Sequence, residues 1–454
     1  MLLPLSRSTY KRGDLPESPL RNGYFETAPL NQESQSSLRR RAGHVAHGTA
    51  GAGPTRGVYR QDGAIGGLAI VVSGTAVYSV TTGGTATLIT GTISGTDRVS
   101  MAGSAAKVLI SNGVALYETD GATMSQVTLP DTFAPGDVKF INGRFLVTKL
   151  NTHRYYWSGV SNTTFDALDY ASAEMAPDAL IGLGIATDEV WFLGVSSVEV
   201  GQPTADPDAP FVRVQGRAYD MGCANRHTIA TAANGVAWVG ADNKVYHAAG
   251  ELNVISHSGI EESLRKGVAA DLRAWSYKAD GHEFYVLTIT NYTFAYDFAT
   301  KLWTEFTSYG KANYRGHLGY PLGSGQYVAA DAYDGSLWRI DPTVRMDGTD
   351  PISFEFGAWV EAKAPVRCNN VILDCTVGSS ALGSDPMIAM RCADDRGYVY
   401  GDWMLEPLGR QGEFGEPVVW RRLGQIRRPG RAFEFRITDD VDVTVRKAQM
   451  NEPV

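Results

Sequence analysis

The sequence lacks a long apolar run and a recognisable leader segment. Its longest apolar run lies at residues 64–72, far below the roughly 20 residues that a membrane-spanning helix requires. The apolar start at residues 1–5 is too short for the core of a signal peptide, and Arg7 and Lys11 follow it closely. These absences predict a soluble chain without a secretion signal.

Cysteine is scarce, with four residues in a chain of 454. No two of them form a C-x-x-C pair, which argues against a zinc knuckle or a redox motif. Most lie in apolar, strand-like segments, where a buried and reduced thiol is expected. This pattern predicts synthesis in a reducing cytoplasm. The four residues are Cys223, Cys368, Cys375 and Cys392.

Positive charge is also in short supply. The 41 Lys and Arg residues stand against 49 Asp and Glu, which gives a net charge of −8. Such a balance disfavours a surface that grips phosphate backbones strongly. It suits a conduit that DNA passes without sticking, because like charge and missing counterion release both lower affinity.

The usual local signatures of catalysis are missing as well. The sequence has no G-x-S-x-G elbow, no H-E-x-x-H and no EF-hand loop. His44 and His47 are spaced for a helical metal pair, but neighbouring glycines disfavour a helix and no carboxylate completes the set. The glycine-rich residues 48–54 lack the Lys and Ser/Thr of a phosphate loop. We therefore expect no enzyme activity, no metal and no cofactor.

Glycine and β-forming residues are what the chain has in abundance. It contains 50 Gly and 21 Tyr, and short apolar runs alternate with Asn-Gly and Asp-Gly turns typical of hairpins. Candidate repeats begin at intervals of roughly 40–45 residues, the period of four-stranded propeller blades. This predicts an all-β fold with a propeller of seven blades, six being the alternative and a sandwich the rival. The repeats begin near Arg56, Arg98, Asp137, Leu180, Arg226, Ala274 and Arg315.

Changes of composition divide the chain into three parts. Residues 1–55 carry several prolines, a polar run at 31–37 and three consecutive arginines at 39–41, the basic triplet. This composition predicts an extended N-terminal arm. Residues 56–345 form the predicted propeller, with one short helix at 260–266 and an Asp-box-like turn at 334–338. Residues 346–454 have longer strand candidates and predict a C-terminal β-sandwich-like domain.

Two clusters of arginine are candidates for contacts with partner proteins. Residues 420–431 hold five arginines in twelve residues of an otherwise acidic protein. Arginine favours planar, bidentate contacts with carboxylates or phosphates at interfaces, although a solvated strand pair has the same composition. The candidates are Arg421, Arg422, Arg427, Arg428 and Arg431, with Arg39, Arg40 and Arg41 in the arm.

Several segments, in the same order, resemble one protein family. The resemblance is to the packaged-DNA-stabilisation or tail-hub proteins of short-tailed (podovirus-type) bacteriophages, and it spans most of the chain. At residues 39–43 the sequence departs from the Pro-Gly expected in the family. The matching segments are residues 22–41, 98–102, 111–113, 143–145, 156–158, 177–184, 194–199 and 420–428.

The resemblance implies a late structural protein of the virion tail that is made in the cytoplasm of a host bacterium. It implies a six-fold ring of this chain, a hub or nozzle below the portal and adaptor proteins, that closes the tail channel and retains packaged DNA. It also implies attachment of a tail needle and of tailspike or fibre proteins, and passage of DNA during ejection without sequence-specific binding. The alternative hypotheses are a propeller-type glycan-binding or glycoside-cleaving protein, with paired carboxylates at the channel mouth, and a bacterial scaffold protein.

Overall fold

The computed structural model describes residues 1–11, 17–27, 36–173 and 178–453. Within these residues the chain is almost entirely β-structure, with 43 strands and one α-helix. The helix spans Ser258–Lys266 and ends at Gly267, as the sequence predicts. No helix in the described ranges is both long and apolar enough to cross a membrane.

Seven groups of four antiparallel strands, here called blades 1 to 7, follow one another along the chain. Blade 1 contains Thr55–Tyr59, Ala69–Ser73, Ala76–Val80 and Ala86–Ile89, and blade 2 contains Ser100–Gly103, Val108–Ser111, Leu116–Thr119 and Met124–Val127. Blade 3 contains Pro135–Ile141, Arg144–Lys149, Arg154–Ser158 and Phe165–Ser172, and blade 4 contains Leu180–Ala186, Glu189–Gly194, Val198–Pro203 and Phe211–Tyr219. Blade 5 contains Ala230–Ala232, Gly235–Val239, Val245–Ala249 and Glu251–Val254, and blade 6 contains Arg273–Ala279, His282–Ile289, Tyr292–Asp297 and Leu302–Phe306. Blade 7 contains Gly316–Gly323, Gln326–Asp331, Ser336–Asp341 and Gly43–Thr49.

The blades close into a ring through their first strands. Each of these strands contacts the first strand of the next blade, and Gly316–Gly323 of blade 7 returns to Thr55–Tyr59 of blade 1. Apolar clusters fill the spaces between neighbouring blades, as they do between blades 3 and 4. This closed ring confirms the predicted propeller with seven blades, because a sandwich has no such cyclic order.

Blade 7 is completed by the beginning of the chain. Its outermost strand, Gly43–Thr49, pairs antiparallel with Ser336–Asp341 in the register that joins Thr49 to Ser336 and Gly43 to Asp341. The short strand Met346–Asp347 then runs parallel to the other edge of Gly43–Thr49. Hydrogen bonds between segments nearly 300 residues apart in sequence therefore lock the ring.

Gly48 makes this closing strand sensitive to substitution. A Cβ at Gly48 would lie 2.2 Å from the carbonyl oxygen of Gly84, a backbone atom that cannot rotate away. We expect Gly48→Ala to lower the free energy of unfolding by about 1–3 kcal/mol, measured by chemical denaturation with tryptophan fluorescence. Ala46→Val, at an exposed position of the same strand, is the control, with a change within about 0.5 kcal/mol. Equal denaturation midpoints for the two variants would contradict the expected clash.

The C-terminal domain is a β-sandwich, as predicted. One sheet has the strand order Gly23–Thr27, Ser36–Arg40, Thr444–Met450, Asn370–Cys375, Val418–Arg421, and Leu2–Leu3 also pairs with Thr444–Met450. The facing sheet has the order Phe354–Glu361, Gly430–Ile437, Met387–Ala393, Met404–Pro407. A small two-stranded sheet joins Val366–Arg367 to Gln425–Ile426.

The sandwich core contains residues from both ends of the chain. Phe354, Phe356 and Phe435 are fully buried between the sheets, where Leu3 and Leu38 from the N-terminal segment pack against them. Burying each large apolar side chain contributes about 1.5–3 kcal/mol. Leu3 and Leu38 thus make the N-terminal segment part of this core.

A two-residue strand connects the propeller to the sandwich. Leu20–Arg21 pairs parallel with Leu302–Phe306 of blade 6 and antiparallel with Phe354–Glu361 of the sandwich, so that nine strands form one continuous sheet. The Arg21 guanidinium donates to Glu305 at 2.8 Å and to Glu355 at 2.6 Å. Coulombic attraction to both carboxylates outweighs burial and raises the pKa of Arg21. Backbone hydrogen bonds of Leu20–Arg21 and the ion pairs of Arg21 therefore join the two domains.

The three-part division at residues 55 and 345 stays a prediction. In the described residues, the predicted arm contributes Gly43–Thr49 to blade 7 and Gly23–Thr27 and Ser36–Arg40 to the sandwich. Some of the residues that suggested an arm lie outside the described residues, namely Pro16, Pro29 and residues 31–35. Pro177, in the segment 177–184 that resembles the phage family, also lies outside them.

Candidate functional site

The arginine-rich segment 420–431 lies at one end of the sandwich. It begins in the edge strand Val418–Arg421, turns through Arg422 and Gly424, which have φ of +62° and +76°, and enters the short strand Gln425–Ile426. The next strand, Gly430–Ile437, carries the chain back into the core. The turn thus places successive arginines on the outer surface, because the apolar residues between them point inward.

Four of the five arginines are exposed to solvent. Arg421, Arg422, Arg427 and Arg428 lie on the surface, and no carboxylate of the described chain lies within ion-pair distance of any of them. Among the described residues, Arg428 donates a hydrogen bond only to the backbone carbonyl of Lys363. Their charges remain available to a partner.

Arg431 has a different role from its four neighbours. It is 5% exposed and forms a bidentate ion pair with Asp394, with N–O distances of 2.6 and 2.8 Å. Its guanidinium also donates to the carbonyl oxygens of Leu423 and Gln425. The hydrogen bond to Asp394 raises the pKa of Arg431. Arg431 fixes the arginine-bearing turn to the sandwich, with its donors used inside the chain. Its role as a partner contact stays a prediction.

A groove of about 590 Å³ runs beside the exposed arginines, and we call it the arginine groove. Arg421 and Arg422 form one side, and Arg367 from the pairing strand forms the other. No acidic residue lines it, and the side-chain oxygen of Asn370 is buried there without a hydrogen-bond partner in the described chain. The other lining residues are Cys368, Asn369, Gly424 and Gln425.

The sequence analysis did not identify Arg367 and Asn370 as candidates for a partner contact. They reach the groove because Asn370 pairs with Arg421, and Arg367 with Gln425, across antiparallel strands. Such pairs lie more than 50 residues apart in sequence, so only knowledge of the strand register would have revealed them.

The basic triplet 39–41 is mostly buried. Arg40 is 0% exposed and donates to four backbone carbonyls of residues 352, 438, 439 and 441, which it holds at the end of the sandwich. Burial and the nearby Arg41 lower the pKa of Arg40 to about 10. Arg39 is half-buried and lies 3.4 Å from Glu26.

Arg41 is the centre of a buried charged network. It is 1% exposed and binds both carboxylate oxygens of Asp347, at 3.0 and 2.7 Å. Nδ1 of His44 lies 3.0 Å from the same carboxylate, and Nε2 of His44 lies 2.9 Å from the Tyr314 hydroxyl. Burial alone would raise the pKa of Asp347, but Arg41 and His44 outweigh it and hold this pKa well below its usual range.

The predicted role of Arg40 and Arg41 as partner contacts stays a prediction, and the structure gives both residues a role inside the chain. Their guanidinium groups are buried, and their hydrogen bonds are made within the chain. In this network, Asp347 follows blade 7 while Arg41 immediately precedes the strand that closes it. The two residues secure the closure of the ring.

The histidines, the Asp-box-like turn and the cysteines that the sequence singled out all lie within the packed β-structure. His44 belongs to the buried network around Asp347 and His47 is half-buried on the same strand, and no group of three metal-binding side chains occurs in the described ranges. Asp334 accepts a hydrogen bond from the amide of Ser336, which braces a turn. The four cysteines are unpaired, and burial raises the pKa of Cys223 and of Cys375 to about 12.

Comparison with solved structures finds other β-rich proteins at low similarity. The N-terminal part of BBS1, in complex with ARL6, is 10% identical with a TM-score of 0.44, over 67% of this chain and 97% of that one. PorZ, a surface component of the type-IX secretion system of Porphyromonas gingivalis, is 13% identical with a TM-score of 0.39, over 81% of this chain and 46% of that one. An exo-beta-1,3-galactanase from Phanerochaete chrysosporium is 7% identical with a TM-score of 0.32, over 76% and 95%. TM-scores this low indicate nothing about function.

Family models give a specific result for both domains. No curated protein matches the chain at a significant level. The model described as Bacteriophage P22 Gp10, beta-propeller, matches residues 1–345, and the model described as Bacteriophage P22 Gp10, beta-sandwich, matches residues 356–452. The two matches follow the order of the two domains in the structure and together cover nearly the whole chain. The chain therefore belongs to the bacteriophage P22 Gp10 family of structural phage tail proteins.

Proposed function

We propose that this tail protein forms the hub ring of a short phage tail. In this proposal six copies lie below the portal and adaptor proteins, close the tail channel over packaged DNA and carry the needle and the tailspikes or fibres. DNA crosses the ring during ejection without being read in sequence. The family membership supports a structural role without catalysis, and the arginine groove is the observation that supports a protein interface.

Several exposed cations elsewhere on the surface have carboxylate partners. Arg410 lies 3.0 Å from Asp385, Arg446 lies 2.9 Å from Asp374, and Lys266 lies 3.2 Å from Glu262. In segment 420–431, four exposed arginines have no such partner in the described chain, on a protein of net charge −8. So many unpaired arginines within one short segment of an acidic protein favour a contact completed by carboxylates of another chain.

A second copy can supply those carboxylates. A contact between a basic groove and an acidic surface elsewhere on the same protein is heterologous, and contacts of this kind close into rings when the rotation between subunits permits. Arginine fits this role because its planar guanidinium binds carboxylates in pairs. The groove therefore supports a ring contact or a contact with an acidic adaptor surface.

The rigidity of the subunit also supports the proposal. Blade 7 is closed by Gly43–Thr49, and nine strands connect blade 6 to the sandwich without a break. A subunit of this kind moves as a block, because hinge motion would break strand pairing and the Arg21 ion pairs. A ring of such blocks can close a channel mechanically.

The test is the mass of the purified protein in solution, alone and mixed with the portal and adaptor complex of its phage. We expect a ring of this chain to form, or to be captured, on that complex, as seen by light scattering after size exclusion. A chain that stays monomeric and ignores the complex would refute the proposed hub.

A further inference from the structure

An arginine crosses the central channel of the propeller. Arg98 lies just before the first strand of blade 2, Ser100–Gly103. Its guanidinium donates to the carbonyl of His227 at 3.2 Å and to the carbonyl of Ala274 at 3.3 Å. His227 precedes the first strand of blade 5, and Ala274 lies in the first strand of blade 6. In a ring of seven, these blades lie opposite blade 2. Arg98 therefore spans the axis of the ring.

A cavity of about 560 Å³ opens at this mouth of the channel. Arg98, Arg226 and Arg273 line it from blades 2, 5 and 6, and all three are half-buried. Two carboxylates also line it, those of Asp97 and Asp271, but both residues are exposed. The guanidinium groups thus lie deeper in the channel than the acids.

The three arginines lack the partners that buried cations normally have. No carboxylate in the described part of the chain lies within 4.0 Å of any of them. The Nε atoms of Arg226 and Arg273 are buried without a hydrogen-bond acceptor in the described chain. Unused buried donors are unfavourable unless a ligand or ordered water satisfies them.

The electrostatics of the mouth agree with this geometry. Burial and the charge of Arg273 lower the pKa of Arg98 to about 9. Burial, followed by the surrounding arginines, lowers the pKa of His227 and of His317 well below the usual range. The charge of Arg273 thus disfavours the charged form of Arg98, while Asp271 favours that of Arg273, and an anion between the two arginines would relieve their repulsion.

We propose that this channel mouth binds a small oxyanion of the phosphate class. Guanidinium groups bind phosphate oxygens in bidentate fashion, and a cluster of three favours a ligand with more than one negative charge. The ligand would enter from the open mouth and rest against Arg98, which crosses the channel below it. This site is separate from the arginine groove on the sandwich and adds a small-ligand function to the proposed assembly role.

The test is isothermal titration calorimetry of the full-length protein with inorganic phosphate at pH 7. Chloride and acetate at the same ionic strength provide the comparison. We expect phosphate to bind with a dissociation constant of about 0.1–1 mM and acetate to bind at least about tenfold more weakly, because it carries a single charge. The absence of phosphate binding, or equal binding of phosphate and acetate, would overturn the proposal.

Two variants and one control locate the site. Arg226→Gln and Arg273→Gln are each expected to weaken phosphate binding at least about tenfold, the effect of losing one charged hydrogen bond. Arg410→Gln removes an exposed arginine of the sandwich that is paired with Asp385, and it is expected to leave the affinity unchanged. Circular dichroism in chloride buffer verifies that each variant is folded. If one of the two channel variants does not fold, the other one alone is enough to test the proposal. Unchanged affinity in a folded channel variant would show that phosphate binds elsewhere.

Discussion

Replacing Asp347 with Asn is expected to lower the free energy of unfolding by about 3–5 kcal/mol, the effect of breaking a buried ion pair from one side. Asp347 accepts two hydrogen bonds from Arg41 and lies in contact with His44, and all three side chains are buried. The substitution leaves the Arg41 guanidinium charged and buried without a counterion. The measurement is chemical denaturation followed by tryptophan fluorescence, with far-UV circular dichroism to verify a single transition.

A surface pair provides the matched control for this prediction. Arg39→Met removes the half-exposed Arg39 from Glu26, and we expect a change below about 1 kcal/mol. The double variant Arg41→Met with Asp347→Leu removes both buried charges and should be less destabilised than Asp347→Asn. If Asp347→Asn were no more harmful than Arg39→Met, the buried network would not secure the ring closure.

The same network predicts a dependence on pH. The pKa of Asp347 is depressed in the folded protein, since Arg41 and His44 outweigh the effect of burial. Its contribution is therefore fully present above the unfolded-state pKa of about 4 and is lost as the pH falls below that value. The difference in stability between the parent protein and Asp347→Asn should shrink as the pH is lowered below about 4.

Reversing two charges at the arginine-rich end of the sandwich is expected to prevent incorporation of the protein into virions. Arg421 and Arg428 are exposed, and neither has a carboxylate partner in the described chain. Glu at both positions would repel an acidic partner surface, so we expect at least a tenfold loss of incorporation, roughly 1.4 kcal/mol or more of binding. The measurement is the amount of the double variant in purified particles after complementation of a phage that lacks the gene.

The control carries the same change in charge at another place. Arg213→Glu with Lys244→Glu reverses two exposed cations of blades 4 and 5 and is expected to be incorporated normally. Both double variants should elute from size exclusion as folded protein. Normal incorporation of Arg421→Glu with Arg428→Glu into infectious particles would refute the proposed interface.

The propeller could be predicted because its information is local. The Asn-Gly and Asp-Gly turns carry the positive φ angles that hairpins need, as at Asn142 with +50°, Asn234 with +58° and Gly281 with +79°. The predicted blade starts lie close to the observed first strands, for example Leu180 and Arg315 against Leu180–Ala186 and Gly316–Gly323. Turn chemistry and a regular period are properties of short segments, so a sequence displays them directly.

The closing strand and the burial of individual arginines could not be predicted, because they depend on distant partners. The segment Gly43–Thr49 follows a basic triplet and contains three polar residues in seven, and nothing local points to Ser336–Asp341. Arg40 and Arg421 look alike in sequence, yet one is surrounded by carbonyls and the other by water. Burial of a charge is decided by what the rest of the chain brings to it.

Arg98 also bears on the route of the genome. A guanidinium lying across the axis bars the bore of each propeller, so nothing as wide as a nucleic-acid strand threads through a single subunit. In the proposed ring, the lumen is then bounded by the outer faces of neighbouring subunits, and its diameter follows from how many subunits there are and how they tilt. The aperture of the tail is a property of the assembly, which a family of such proteins can widen or narrow without altering a single blade.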